Sequence, residues 1–265
     1  LAVTEFRNSV YLELKRKTLA ALLVAWAKVR AHDDRVVNAA LLNSVLALIE
    51  ELLEEKTPER KEFFERANEA MLKASEDFYQ LKLKEWNTDD CGSYFDWLDR
   101  FAAEEEEVLT SVGKNSDELA QITAAIRRLF YTTFLLNYKP TLVTSPFGLG
   151  HLLQTKNYPA LKKVKRLYTQ YKDDFSSIYE AFKTHIAVNI NERFTEYVKL
   201  INEEQDEKAQ RKLKVGAGLV NQLVQLFNEQ DKVCVECFDN NPNFRFLLNK
   251  VFEEEINKEG LPFSL

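Results

Sequence analysis

Glycine and proline are scarce: seven and six in 265 residues. Strand-rich folds and disordered tails use more of both, because tight turns and open chains depend on them. Cysteine is scarcer still, at three: Cys91, Cys234 and Cys237. A sparse, odd-numbered set excludes a disulfide framework and suits a reducing compartment. The three histidines, His32, His151 and His185, are scattered along the chain. No apolar run reaches the roughly 18 residues that a membrane-spanning helix needs. The most apolar stretch, Leu19 to Trp26, is bracketed by Lys15, Arg16, Lys17 and Lys28. Positive charge is in deficit too, with a net charge of −6 and a pI near 5.4. That field opposes broad phosphate binding, so nucleic acid is not an expected partner. The first residue is Leu1 rather than Met, and no secretory or transit signature follows. The sequence therefore reads as an excised or processed piece of a longer chain.

What the chain does have is apolar bulk and charge together. Hydrophobic residues make up 45%, charged residues 29% and aromatics 12%, with 18 Phe. That is enough for a sizeable core, or for two cores in series at roughly 100–200 residues per domain. Apolar residues recur at three and four almost throughout, which predicts amphipathic helices. The first carries Leu12, Leu19, Leu22, Leu23, Trp26 and Val29, and His32-Asp33-Asp34 interrupts it. The second carries Val37, Leu41, Leu42, Val45, Leu48, Ile49 and Leu52. Thr57-Pro58-Glu59 restarts the chain, with Thr as cap, Pro at the first helical position and Glu facing the positive end of the dipole.

The third helix is expected to bury Phe63, Phe64, Ala67, Met71, Ala74, Phe78 and Leu81, ending at Asn87-Thr88-Asp89-Asp90. The fourth carries Tyr94, Leu98, Phe101, Val108 and Leu109, and Gly113 closes it. Asn115 and Glu118 form a predicted capping pair for the fifth, which runs through Leu119, Ile122, Ile126, Leu129, Phe130, Phe134 and Leu136. Between Lys139 and Pro159 three Pro and two Gly gather, marking the best internal boundary. Further helices are expected from Pro159 to about Asn189 with a break at Lys172-Asp173-Asp174, then Asn191 to Glu204, Lys212 to about Asn228, Val233 to Phe238, and Phe244 to Ile256. Leu261-Pro262-Phe263 reads as a loose tail. Gly216 and Gly218 inside a helix predict close backbone contact with a neighbour. With about five helices on either side of the boundary, the expectation is two stacked helical repeats, 1–139 and 140–265, each burying its apolar face on the next.

No chemistry converges. Phe147-Gly148-Leu149-Gly150 lacks the third glycine and the preceding strand of a dinucleotide loop. Nucleophile elbows and HExxH are absent, and no His stands three residues after a Glu, which excludes ferritin-type iron ligation. Cys234-Val235-Glu236-Cys237 has CxxC form, but without a second pair it reads as two small core residues rather than zinc or redox ligands. His185 reads as a packed or capping residue, because it has no evident partner for acid–base work. Glu104-Glu105-Glu106-Glu107 covers all sides of a helix and reads as a solvated face, as does Glu253-Glu254-Glu255. The basic run Lys162-Lys163-Val164-Lys165-Arg166 reads as a solvated helix face or a protein contact. No catalytic residue, cofactor or metal is expected, and the chain reads as non-catalytic.

The motifs resemble those of the cullin family. Gly148-Leu149-Gly150-His151-Leu152-Leu153 is similar to that family's G-L-x-x-L-L. Leu161 to Tyr168 is similar to its D-L-x-R-M-Y segment, and Phe182-Lys183-Thr184-His185-Ile186 to its helix ending in H-I. Cys237-Phe238-Asp239-Asn240-Asn241-Pro242-Asn243-Phe244, followed by Leu248 and Phe252 to Asn257, resembles A-F-N-N-D-x-x-F…L…F-x-x-F-I-N. Phe63-Phe64 through Ser75-Glu76-Asp77-Phe78-Tyr79, and Tyr94 with Glu104 to Glu106, resemble front-half motifs. Two departures stand out: Lys165 replaces a usual Tyr, and Asp174 stands where Gly is frequent. The resemblance covers nearly the whole chain, in order, and implies an all-α fold of tandem five-helix repeats, the second and third of a cullin arm, stacked into an elongated rod. It implies a non-catalytic scaffold of a ubiquitin ligase, cytoplasmic or nuclear, holding a substrate receptor away from the RING end. Its implied partners are proteins: an adaptor or receptor, a RING protein and an exchange factor, bound mostly outside these residues. A helical tethering or trafficking rod is the rival reading.

Overall fold

The computed structural model describes residue 5 and residues 12–30, 42–47, 49, 58–86, 88, 90–114, 117–203 and 209–258. Among them every regular element is helical. In chain order these are α1 (Leu12–Arg30), a helical stretch at 42–47, α2 (Pro58–Glu85), α3 (Cys91–Gly113) and α4 (Asp117–Phe130). A π-helical segment (Tyr131–Leu136) follows, then α5 (Lys139–Thr144), α6 (Leu149–Gln154), α7 (Tyr158–Gln170), α8 (Ser176–Glu203), α9 (Ala209–Cys237) and α10 (Pro242–Lys258). The break expected at Asp33 and Asp34, the caps at Thr57 and Asn115, and the tail at Leu261 lie outside the described residues. Two compact units emerge: Leu1–Asn87 with Trp97–Tyr138, and Thr88–Asp96 with Lys139–Leu265.

In the first unit, α2 begins with Pro58 and has Glu59 in its first turn, as Pro's fixed φ and the helix dipole favour. Its buried row is Phe63, Phe64, Ala67, Met71, Ser75 and Tyr79. Positions 67, 71, 75 and 79 are four apart and so stack on one face. Leu81, expected inside, lies two residues past that row and is 59% exposed. α2 packs on α1, which presents Leu22, Trp26 and Val29, and on α4, which presents Leu119, Ile122, Ile126 and Phe130.

Charge enters this core. Arg30 and Glu105 are both buried, and Arg30 Nη2 donates to Glu105 Oε2 at 3.0 Å. Tyr79 Oη donates to the same oxygen at 3.0 Å and accepts from Arg30 Nη2 at 3.2 Å. The guanidinium lies 4.5 Å from the Trp26 ring centroid. Trp26 Nε1 in turn donates to Ser75 Oγ at 3.4 Å. Burial, and then the Glu105 charge, push the Tyr79 phenol well above its ordinary range, so it stays protonated and can donate. The acidic run is therefore not the uniformly solvated face expected. Glu105 points inward, and Glu106 takes a fork from Arg127, with Nε at 2.9 Å from Oε2 and Nη2 at 2.8 Å from Oε1.

The chain was expected to stay α-helical through Leu136. Instead a wider turn begins at Tyr131, and Asn137 N donates to Thr132 O at 3.0 Å, an i to i−5 bond. The inserted residue brings Phe134 and Leu135 into the core and leaves Leu136 exposed. Phe134 then lies 4.8 Å from Phe130, 5.3 Å from Tyr79 and 5.4 Å from Phe101, ring centroid to centroid.

In the second unit, Asp90 caps α3 through Gly92 N at 3.0 Å and Ser93 Oγ at 2.5 Å. α8 is one helix where a break near 190 was expected. Asn189 does not end it, because its amide donates back to His185 O at 2.8 Å while the backbone continues and Ile190 stays buried. α9 likewise runs unbroken through the expected gap between Asn228 and Val233. The two glycines in α9 do not mark a close approach: a Cβ on Gly216 would meet only Tyr197 Oη at 3.9 Å, and one on Gly218 nothing within 4 Å. Gly148 is the glycine that its surroundings demand, since a Cβ there would collide with the Leu142 carbonyl oxygen. Asp174, the departure from the family pattern, caps α8 by accepting from Ser176 N at 3.0 Å and Ser176 Oγ at 2.9 Å. Phe175, Tyr179, Phe182, Phe238 and Phe244 form the aromatic centre, with Phe238 and Phe244 stacked at 3.9 Å.

Two outcomes follow for equilibrium unfolding. Arg30→Met alone strands Glu105 in the core and is expected to cost about 3–5 kcal/mol, whereas Arg30→Met with Glu105→Leu and Tyr79→Phe recovers most of that loss. A single variant as stable as the parent would show that the network carries no weight. Gly218→Ala is expected to raise stability by roughly 1 kcal/mol, since only helix propensity changes, while Gly148→Ala lowers it. Equal effects of the two would contradict the packing.

Candidate functional site

The residues singled out by chemistry are dispersed in the fold. Cys234 and Cys237 are both on α9 and buried. Burial pushes their thiols up to about 12 and about 11 respectively, leaving almost no thiolate at neutral pH. Among the described residues no three His, Cys, Asp or Glu come together as metal ligands, and no described helix is long and apolar enough to cross a membrane. His151, on α6, meets the Phe147 ring edge-on at 5.7 Å. His185 sits half-buried on α8, where burial, and then Arg193, lower its pKa and hold the ring neutral at pH 7.

The basic run on α7 is largely engaged within the second unit. Lys163 Nζ reaches Asp96 at 2.6 Å, and Lys165 pairs with Asp239. Lys165, the other departure from the family pattern, thus ties α7 to the turn after α9. Glu255 was expected to be solvated, yet it is buried. It accepts from Asn191 Nδ2 at 3.2 Å and Lys258 Nζ at 2.6 Å, and the Lys258 bond holds its carboxyl below the usual range.

The family-like motifs turn out to be packing and turn devices. Leu149, Leu152 and Leu153 of α6 are buried, and Gly148 makes the sharp entry. Asp239 and Asn240 take positive φ values of 50° and 54°, folding the chain so that Asn240 N meets Cys234 O at 2.9 Å and Phe238 can lie on Phe244.

A concave polar site forms in the second unit, where α8 and α9 face the end of α6. A pocket of about 190 Å³ is lined by Lys156, His185, Asn189, Arg193, Glu229 and Gln230 among others. Arg193 Nη1 donates to Asn189 O at 2.7 Å. Lys156 Nζ lies 2.9 Å from Glu229 Oε1, and that bond holds the Glu229 carboxyl low. Lys156 occupies the left-handed region at φ 55°, an uncommon backbone for a residue with a side chain. Its lining brings together two cations, a carboxylate, an imidazole and side-chain amides. Of its lining, sequence reasoning had flagged only His185. Arg193 and Gln230 look like ordinary exposed helix positions until α8 and α9 are brought together.

The family description "Cullin alpha solenoid domain" matches residues 1–263. The chain belongs to the cullin family. No curated protein matches it.

At pH 8, alkylation of Cys234 and Cys237 by iodoacetamide is expected to run at least about a hundredfold slower in the folded chain than in denaturant, because thiolate falls tenfold per unit of raised pKa. Mass-mapped rates equal in the two states would show that the thiols are not sealed in the core.

Proposed function

We propose that this chain is a non-catalytic scaffold segment of a cullin-RING ubiquitin ligase, cytoplasmic or nuclear. Residues 1–139 and 140–265 would correspond to the second and third repeats of its arm. The observation that carries the reading is the family match along residues 1–263. Holding a substrate receptor at a set distance from the catalytic end raises effective concentration without side-chain chemistry. Partners on this reading are proteins: an adaptor or receptor, a RING protein and an exchange factor, each bound mostly through regions beyond these residues.

The test is co-purification. The full-length parent protein, tagged and isolated from its own cells, is expected to bring down a RING protein and to support ubiquitin-chain synthesis with a ubiquitin-conjugating enzyme. Recovery of neither, from a folded parent, would move the chain to the rival reading of a tethering rod.

A further inference from the structure

The pocket between α8 and α9 holds an acceptor and a set of donors that helix packing leaves unused. Gln230 is 5% exposed, and its amide oxygen Oε1 is buried with no donor among the described residues. Native structures seldom leave such an atom alone, so it asks for a group carrying an N–H or O–H. Arg193, on the facing helix, has the opposite need. Its Nη1 donates to Asn189, while Nε and Nη2 make no hydrogen bond or ion pair among the described residues. A ligand that meets both needs carries a donor and an acceptor.

Charge narrows the choice. Within the pocket Arg193 and Lys156 bring two positive charges, Glu229 one negative, and His185 is neutral. Two wider hollows of about 390 Å³ each share lining with the pocket, one through Asn189 and Arg193, the other through His185 and Asn189. They add Glu180, Glu192 and Glu196 but no further Lys or Arg, so the sign reverses around the mouth. An anion is opposed on the way in and a cation inside, which favours a neutral group. The hollows follow α8 from Glu180 to Glu196, on the order of 24 Å at about 1.5 Å per residue. That is room for the chain that presents the group.

We infer that this pocket is a docking site for a side-chain carboxamide, an Asn or Gln of a protein partner. A carboxamide sets an NH₂ and a C=O side by side and carries no charge. Its NH₂ donates to Gln230 Oε1, and its oxygen accepts from the unused edge of Arg193. The last torsion of a glutamine is broad, so a modest turn brings Oε1 to the ligand. Glu229 stays with Lys156, 2.9 Å away, and does not draw Arg193 off. Leu153, Leu226 and Val233 line the same 190 Å³ pocket and cover the methylenes of the entering side chain. The site is independent of the ligase reading and would stand if co-purification failed.

The experiment is a titration of the ¹⁵N-labelled chain, following the Arg193 Nε and Gln230 side-chain signals by NMR. The probes are the N-acetyl α-amides of glutamine, asparagine, glutamate, lysine and methionine. All five share one backbone, so the side-chain amides are set against an anion, a cation and an apolar match. The expected result is a saturable shift at Arg193 and Gln230 with the glutamine or asparagine probe. It should be at least about fivefold tighter than with the other three. Gln230→Met removes the acceptor at nearly constant volume, and Arg193→Met removes the donors. Each should weaken the amide probe about fivefold or more, with the remaining backbone spectrum unchanged. No saturable shift, an equal response to all five probes, tightest binding of the glutamate, lysine or methionine probe, or indifference to either variant would each overturn the site and leave a hydrated hollow.

Discussion

The buried charge at Arg30 sets the terms for the first unit. A guanidinium 2% exposed is a charge taken out of water, so the surrounding helices have to supply its counter-charge. Glu105 does so from α3, and Tyr79 bridges the two from α2. Three helices are thereby tied at one oxygen, Glu105 Oε2. Arg30 Nε and Nη1 have no hydrogen-bond partner among the described residues, and the faces of Trp26, Phe78 and Tyr79 take the place of acceptors around them. Such an ion pair contributes little net stability compared with an apolar core, but it penalises every other register heavily, because a slip of one residue would bury a charge alone. The neighbouring aromatic cluster of Phe101, Phe130 and Phe134 could pack in several ways, and the polar tie selects among them.

The second unit solves the same problem with a different set. Lys139, buried at the start of α5, reaches Asp173 at 2.8 Å in the turn before α8, and Asp173 Oδ1 also accepts from Phe175 N at 2.8 Å. That turn carries Lys172 and Phe175 at φ 57° and 58°. The strained backbone holds because the ion pair and the Phe175 ring, packed near Tyr168, Tyr179 and Phe244, fix it from two sides. In both units, apolar burial supplies the driving force and a few inward charges supply the specificity.

This division explains what could be read from the sequence. Helix existence was legible, since the three-four spacing of Phe63, Ala67 and Met71, or of Leu161, Val164 and Tyr168, reports a buried stripe directly. The turn at Lys172-Asp173-Asp174 was legible as a break. Continuity through Asn189 and through the 228–233 stretch was not, because a polar residue in mid-helix and one at a helix end look alike until the side chain's partner is known. The direction of the acidic residues was illegible for a similar reason. Glu105 differs from Glu104 only in the partner awaiting it, 75 residues earlier in the chain. Nor does a local pattern announce the π-turn at Tyr131, whose wider winding leaves Phe134 against Tyr79 and Phe101, residues far away in sequence.

The pocket on α8 follows the same logic from the opposite side. Arg30 and Gln230 are both polar side chains sealed between helices, but Arg30 meets an acceptor in Glu105 whereas Gln230 Oε1 meets no donor among the described residues. Gln230 Oε1 joins Arg30 Nε and Nη1 and Asn68 Oδ1 as buried polar atoms without a hydrogen-bond partner among the described residues. Packing alone would favour an apolar residue at 230, where Leu226 and Val233 already line the same face of α9.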